Sequence, residues 1–266
     1  MTTGTILDRI LESKRRELAR QKQAQSLAEM ERRAKATPLP LNLSGALMGP
    51  DVRLIAECKK ASPSRGLLSP TYDPASLART YAANGAAAIS VLTEVDHFQG
   101  SLEHLSQVKE AVREAGLPVL RKDFIFDPYQ VYQARACGAD ALLLIVAMLS
   151  PTQLKELLGV AQSIWVQALV EVHSEHELEA ALKAGAEIIG VNHRDLRTLQ
   201  MDMGLSARLR PRIPGGKIVV AESGIQSRED VARMKKIGVN AVLVGEALVT
   251  APDVAAKVRE LAGVLS

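Results

Sequence analysis

Residues Ala184–Asn192 read AGAEIIGVN, and a similar phrase occurs three more times. NGAAAISVL spans Asn84–Leu92, CGADALLLI spans Cys137–Ile145, and IGVNAVLVG spans Ile237–Gly245. Each begins at a glycine, continues through one or two small residues, and ends in an apolar run of strand length. The glycines Gly85, Gly138, Gly185 and Gly238 are spaced by 53, 47 and 53 residues. A glycine just past a helix end supplies the left-handed conformation that stops the helix, so each phrase reads as helix end, then strand. A period near fifty is too long for one strand–helix unit, which requires another strand in each interval. LIAEC from Leu54, PVLRKDF from Pro118, IWVQALVEV from Ile164 and KIVVAES from Lys217 supply them.

Amphipathic stretches lie between these runs, among them PASLARTYAANG from Pro74, PYQVYQARACG from Pro128, SEHELEAALKAG from Ser174 and SREDVARMKKIG from Ser227. Several open on Ser, Asp or Pro, which suits a helix start. Strands alternating with helices imply parallel pairing through right-handed crossovers. Eight such units without a break predict an α/β fold, a (β/α)8 TIM barrel. Residues 1-266 then form a single barrel domain, with 1-45 an N-terminal helical extension. A doubly wound open sheet is the alternative, but it calls for a glycine-rich loop after its first strand, and no G-x-G-x-x-G occurs.

Composition narrows the function. Aromatic residues are only 3% of the chain, which disfavours a nucleic-acid reader built on base stacking. The net charge is +3, much of it early: from Ser13 to Lys35, eight Lys/Arg stand against three Glu. That basic segment is expected to be a solvated helix face, while Ile6, Leu7, Ile10, Leu11 and Leu18 recur at helical spacing and dock it on a core. Cys58 and Cys137 read as small buried hydrophobes in a reducing compartment. Neither a signal peptide nor an apolar run of spanning length is evident, so the expectation is a cytoplasmic protein with no membrane or nucleic-acid partner, a monomer or weak homodimer. His173 and His176, three apart, lack a third metal ligand in register, so no metal site is expected.

In barrels of this kind the chemistry sits at the C-terminal strand ends. Side chains alternate along a strand, so in LIAECKKASPSRG (Leu54–Gly66) Ile55, Glu57 and Lys59 share one face, with Ser62 beyond. Ala56 and Cys58 face the helices. Lys122 and Phe124 share a face of the third strand; Gln167, Leu169 and Glu171 share one on the fifth. The sixth strand ends at Asn192 and Arg194, the seventh at Glu222, Ser223 and Gly224, the eighth at Gly245 and Glu246. Two lysines and an arginine beside several glutamates suit an anionic substrate and acid–base chemistry. The glycines that lead into helices after the last two strands suit a phosphate. From the residues alone, a lyase or isomerase acting on a small phosphorylated sugar or aromatic compound is expected. The rival from another class is a binding module that uses the basic N-terminal helix.

IAECKKASPSRG, RKDFI, LVEVH, GVNHRDL, VAESGI and LVGEAL, in that order, with ILDRILESKRREL at Ile6–Leu18, closely resemble the indole-3-glycerol-phosphate synthase family. The resemblance covers nearly the whole chain. It implies ring closure of 1-(2-carboxyphenylamino)-1-deoxyribulose 5-phosphate to indole-3-glycerol phosphate, with loss of CO2 and water, in tryptophan biosynthesis and without a cofactor. It further implies Lys122 as general acid at the ribulose carbonyl, Lys59 as partner of the substrate carboxylate and an acid for dehydration, and Glu171 as the base that restores aromaticity. Glu57 would orient the lysines, Asn192 and Arg194 would hold carboxylate and hydroxyls, and Ser62, Glu222 and Ser223 would complete the polar shell. Backbone N–H groups at Gly224, Gly245 and Glu246, with Ser223 nearby, would take the phosphate. Phe98, Phe124, Leu143, Leu196 and Leu243 would wall the anthranilate ring. Many relatives carry serine where this chain has Glu246, whose side chain is therefore expected to point away. An aromatic residue that some relatives carry in the N-terminal segment has no match here.

Overall fold

The apolar runs become eight strands: β1 (Arg53–Cys58), β2 (Ala88–Leu92), β3 (Val119–Lys122), β4 (Ala141–Ile145), β5 (Gln167–Val172), β6 (Ile188–Asn192), β7 (Ile218–Glu222) and β8 (Ala241–Val244). The computed structural model describes residues 4–264. Each strand pairs in parallel with the next, and β8 closes on β1 with Leu243 opposite Ile55. The result is a closed (β/α)8 barrel. Strand alternation divides the core in two. Ile55, Leu120, Leu143, Leu169, Ile188, Val220 and Leu243 fill the barrel, while Leu54, Cys58, Leu142, Val170, Ile189 and Val242 pack outward against the helices.

Helix starts follow the expected chemistry. Asp73, Ser101, Ser150, Ser174, Ser227 and Asp253 each accept a backbone N–H of the first turn of their helix, a cap worth about 1 kcal/mol apiece. The four repeat glycines all take positive φ, at 102°, 93°, 92° and 86°. The repeat bends at three places. A two-strand antiparallel hairpin, Ala61–Ser62 with Gly66–Leu67, intervenes after β1. Only a short α-helix, Leu205–Leu209, follows β6, and the segment after β8 is split into the helices Glu246–Val249 and Val254–Ala262.

The N-terminal extension forms α1 (Ile6–Ala24), α2 (Leu27–Ala36) and α3 (Leu43–Ala46), and it runs the height of the barrel. At the top, Leu7 and Ile10 of α1 join the interior cluster and line the cavity at the strand ends. At the bottom, Leu43 and Leu47 enter the same cluster, and Gln167 at the start of β5 accepts the Ser44 N–H at 2.9 Å. The basic face of α1 is not uniformly solvated as the sequence led us to expect. Lys14 is 2% exposed, with its ammonium 2.8 Å from the buried Asp123 carboxylate. A charge run shows the composition of a helix surface but not which one member finds a buried partner far along the chain.

Leu43 is fully buried beneath the barrel whereas Leu39 is 81% exposed. Chemical denaturation should show Leu43→Ala losing about 2–5 kcal/mol of stability and Leu39→Ala changing it by less than about 0.5 kcal/mol.

Candidate active site

A cavity of about 410 Å³ opens at the C-terminal strand ends. Fifteen of the residues singled out from the sequence line it: Glu57, Lys59, Ser62, Phe98, Lys122, Phe124, Asn192, Arg194, Leu196, Glu222, Ser223, Gly224, Leu243, Gly245 and Glu246. Glu171 and Leu143 line an adjoining recess that shares Lys122, Phe98 and Phe124 with it. The barrel thus brings together groups scattered from residue 57 to residue 246. Phe98 and Phe124 form one wall, their ring centroids 6.3 Å apart. Ile6, Leu7 and Ile10 of α1 close the side for which no aromatic residue was evident.

The charges are arranged around Lys122. Its Nζ lies 3.6 Å from Glu171 Oε2 and 3.4 Å from Glu222 Oε2, while Lys59 Nζ is held by Glu57 Oε1 at 2.7 Å. Burial disfavours the Lys122 ammonium, but the carboxylates of Glu222, Glu171 and Glu57 outweigh that cost and hold its pKa above the ordinary value. Burial chiefly, aided by Glu171 and then Glu57 and opposed by Lys122, pushes the Glu222 carboxyl up from 4.5 to about 8. Lys122 is thereby held as the ammonium, and Glu222 is the carboxyl of this set that most readily takes a proton near neutrality. Both Glu222 oxygens and Glu171 Oε2 are buried without a hydrogen-bond partner among the described residues. Glu171 Oε2 and Glu222 Oε2 face the Lys122 ammonium at 3.6 and 3.4 Å, which leaves Glu222 Oε1 with no polar partner; buried polar groups are nearly always satisfied, so the set retains capacity for a group that enters the cavity.

On the opposite side the chain is shaped to present backbone. Ser223 adopts a φ of 68° and Gly224 one of 78°, and the left-handed region costs a serine of order 1–3 kcal/mol. The surroundings enforce it. The Ser223 hydroxyl donates to Asn192 Oδ1 at 2.8 Å, and His193 Nδ1 lies 2.9 Å from the Ser223 carbonyl. A carbonyl can only accept, so Nδ1 carries the proton and Nε2 accepts from the Ser206 hydroxyl at 2.7 Å. Burial lowers the His193 pKa below its ordinary value, which keeps this neutral tautomer in place. The helix that starts at Glu246 has no side-chain cap on its first turn. The Glu246 carboxylate points to the first loop, 2.9 Å from Arg65. His173 Nδ1 meets the Asn192 carbonyl at 2.7 Å.

Comparison with known proteins decides the family. Residues 7–261 match the model of the family described as indole-3-glycerol phosphate synthase. A protein of that name from Dehalococcoides mccartyi is 53% identical over 96% of this chain and 99% of its own length. One from Roseiflexus sp. is 53% identical over 97% and 98%. The chain belongs to the indole-3-glycerol phosphate synthase family. With that membership go a carboxy-lyase activity and a place in tryptophan biosynthesis. A solved thiamine phosphate pyrophosphorylase from Pyrococcus furiosus superposes with a TM-score of 0.63 at 21% identity, covering 83% of this chain and 96% of that one, which supports the barrel alone. Among the described residues, no helix is long and apolar enough to cross a membrane.

Two elements of this synthase-family site escaped the sequence reading. Glu94, buried after β2, accepts the backbone N–H groups of Asp96, His97 and Phe98 at 3.2, 2.7 and 3.0 Å, and so fixes the loop that carries the Phe98 wall. A carboxylate in a loop gives no sign in sequence that it folds back on its own chain. Gly190, within β6, carries no sequence signal of a role in the site. A Cβ there would stand 2.2 Å from Glu222 Oε1, so its bareness makes the space in which Glu222 lies. Gly190→Ala should displace that carboxyl, and misplacement by about 1 Å costs roughly 100-fold in rate. Steady-state kinetics on the folded variant test this, and near-wild-type kcat/KM would show that Glu222 need not lie where it does.

Proposed function

We propose that the cavity binds 1-(2-carboxyphenylamino)-1-deoxyribulose 5-phosphate with its phosphate beside Ser223, Gly224, Gly245 and Glu246. Its benzene ring lies among Phe98, Phe124, Leu143, Leu196 and Leu243, and its ketone lies at Lys122. The observation that carries this reading is the placement of Lys59 just past β1 and Lys122 at the end of β3, each against glutamate side chains, in one cavity with the Phe98 and Phe124 wall and the Ser223–Gly224 backbone.

In ring closure, the ring carbon bearing the carboxylate attacks the ketone, and the carbonyl oxygen gains the displaced electron pair. Lys122 donates the proton that turns this alkoxide into a hydroxyl. The carboxylates around Lys122 keep it protonated beforehand, while its separations of 3.4–3.6 Å from them leave its hydrogens free to turn to the substrate. Loss of CO2 returns the C–C bond electrons to the ring and restores its aromaticity. Lys59 pairs with the substrate carboxylate before that step, and the 2.7 Å contact with Glu57 aims its ammonium. Dehydration then expels the new hydroxyl as water, with Lys59 as acid and Glu171 as the base that takes the proton needed to complete the indole. Asn192 and Arg194 hold the hydroxyls, with Ser62, Ser223 and Glu222 in the polar shell. Glu222, entering as the neutral acid, adds no repulsion toward an anionic substrate.

The substrate is a phosphorylated small molecule. No nucleic-acid or membrane partner belongs to this reading. We place the enzyme in the cytoplasm as a monomer or weak homodimer; a buried Cys58 and an unpaired, half-buried Cys137 suit a reducing compartment.

Mixing the purified enzyme with the ribulose phosphate should produce indole fluorescence. General-acid catalysis supplies about 10²–10⁴ in rate, so Lys122→Ala should abolish measurable turnover while product binding, read by fluorescence titration, persists. Near-normal turnover by that variant would remove Lys122 from the acid role.

A further inference from the structure

Asp123 stands in the chain between Lys122 and Phe124, yet no step above uses it. It is 1% exposed and fully engaged. Its Oδ1 meets Lys14 Nζ at 2.8 Å and accepts the Phe124 N–H at 2.8 Å. Its Oδ2 accepts the Thr93 hydroxyl at 2.6 Å and Arg121 NH2 at 2.9 Å. Arg121, also buried, donates onward to the Gln130 carbonyl and Gln133 Oε1, at 3.0 and 3.1 Å, which ties the group to the helix Pro128–Ala136. Burial alone would raise the Asp123 pKa, but Lys14, Arg121 and the hydrogen bonds outweigh it and hold the group at about 2.

Lys14 comes from the other side. It projects from α1, one turn beyond Ile10, and its ammonium is shared between Asp123 and Glu17 at 2.8 and 2.9 Å. It does not line the cavity. The pair therefore joins two things that must be in register: the end of β3, which carries Lys122 and Phe124, and the helix that lays Ile6, Leu7 and Ile10 over the same cavity. A buried ion pair stabilises little compared with an apolar pair of similar volume, because desolvation offsets its attraction. Its directional contacts do restrict position, which apolar packing does less sharply.

We propose that Lys14 is a positioning residue for ring closure: through Asp123 it sets the depth of Lys122 and Phe124 in the barrel mouth, and with them the fit of α1 over the substrate ring. This rests on the general-acid role proposed for Lys122. Lys14→Met should lower kcat/KM on the order of 100-fold, the cost of misplacing a reacting group by about 1 Å, with kcat falling on folded enzyme. Lys14→Arg, which keeps the cation, should restore most of that loss. Lys22→Ala, which breaks the more exposed contacts of α1 with Asp127 and with the face of the Tyr129 ring, should leave kcat/KM within about twofold of wild type.

Removing one member of a buried pair can unfold a protein, but Lys14→Met leaves Asp123 still paired with the equally buried Arg121 at 2.9 Å, so this single variant, with Lys14→Arg beside it, is the decisive protein. Turnover by indole fluorescence and the thermal unfolding midpoint would be measured on the same samples. A loss of kcat in folded Lys14→Met, recovered in Lys14→Arg and with Lys22→Ala unaffected, supports the proposal. A shifted midpoint with unchanged kcat would make the pair purely structural and overturn it, as would an equal loss in Lys22→Ala. Failure of the Lys122→Ala test would instead remove the role on which the proposal rests, whatever these variants do.

Discussion

The rest of the structure depends on keeping the Lys122 ammonium charged inside the mouth of a hydrophobic barrel. Burying an ion unaccompanied is prohibitive, and the barrel solves this by delivering carboxylates from β5 and β7 to one point. Those carboxylates then repel one another, so Glu222 takes up a proton, raised chiefly by burial. The outcome is a nearly neutral set that is polar, crowded and incompletely hydrogen-bonded. An interior built for stability alone would not leave Glu222 Oε1 without a polar partner. A site awaiting a substrate with hydroxyls to donate would.

Holding that set requires precision from elements that carry no reacting group. Gly190 makes room for Glu222, and Gly245 does the same for Glu57, whose carboxylate would lie 2.4 Å from an added Cβ. Glu94 folds the β2 loop under Phe98, and His193 braces the strained Ser223. The N-terminal strap belongs with these. Its α3 closes the barrel floor, its α1 roofs the mouth, and Lys14 links that roof to the strand that bears Lys122.

Much of this was legible in the chain. Four glycine phrases fixed the period of the fold, and the two-residue alternation of LIAECKKASPSRG separated Glu57 and Lys59 from Ala56 and Cys58, which the barrel turns to opposite sides. The strand ends were legible because apolar runs make any terminal charge conspicuous. What escaped notice were contacts between distant or unremarkable residues. Lys14 lay in a basic run that looked uniformly solvated, and Asp123 lay beside a lysine that drew the attention. Gly190 and Glu94 act through close approach and loop reversal, neither of which leaves a periodic trace. The helical segments after β6 and β8 are also shorter or more broken than the repeat implied, since hydrophobic period says little about helix length.

Burial and the neighbouring Glu171 carboxyl push Glu222 up to about 8, so that it takes a proton inside the mouth while Lys122 stays charged. Carbon-13 NMR titration of glutamate side-chain carboxyls in the ligand-free enzyme tests it most directly. The account predicts one carboxyl titrating near pH 8, far above the ordinary 4.5, and its disappearance from the spectrum of Glu222→Gln. Every glutamate titrating in the ordinary range, with none lost above it in that variant, would contradict the account.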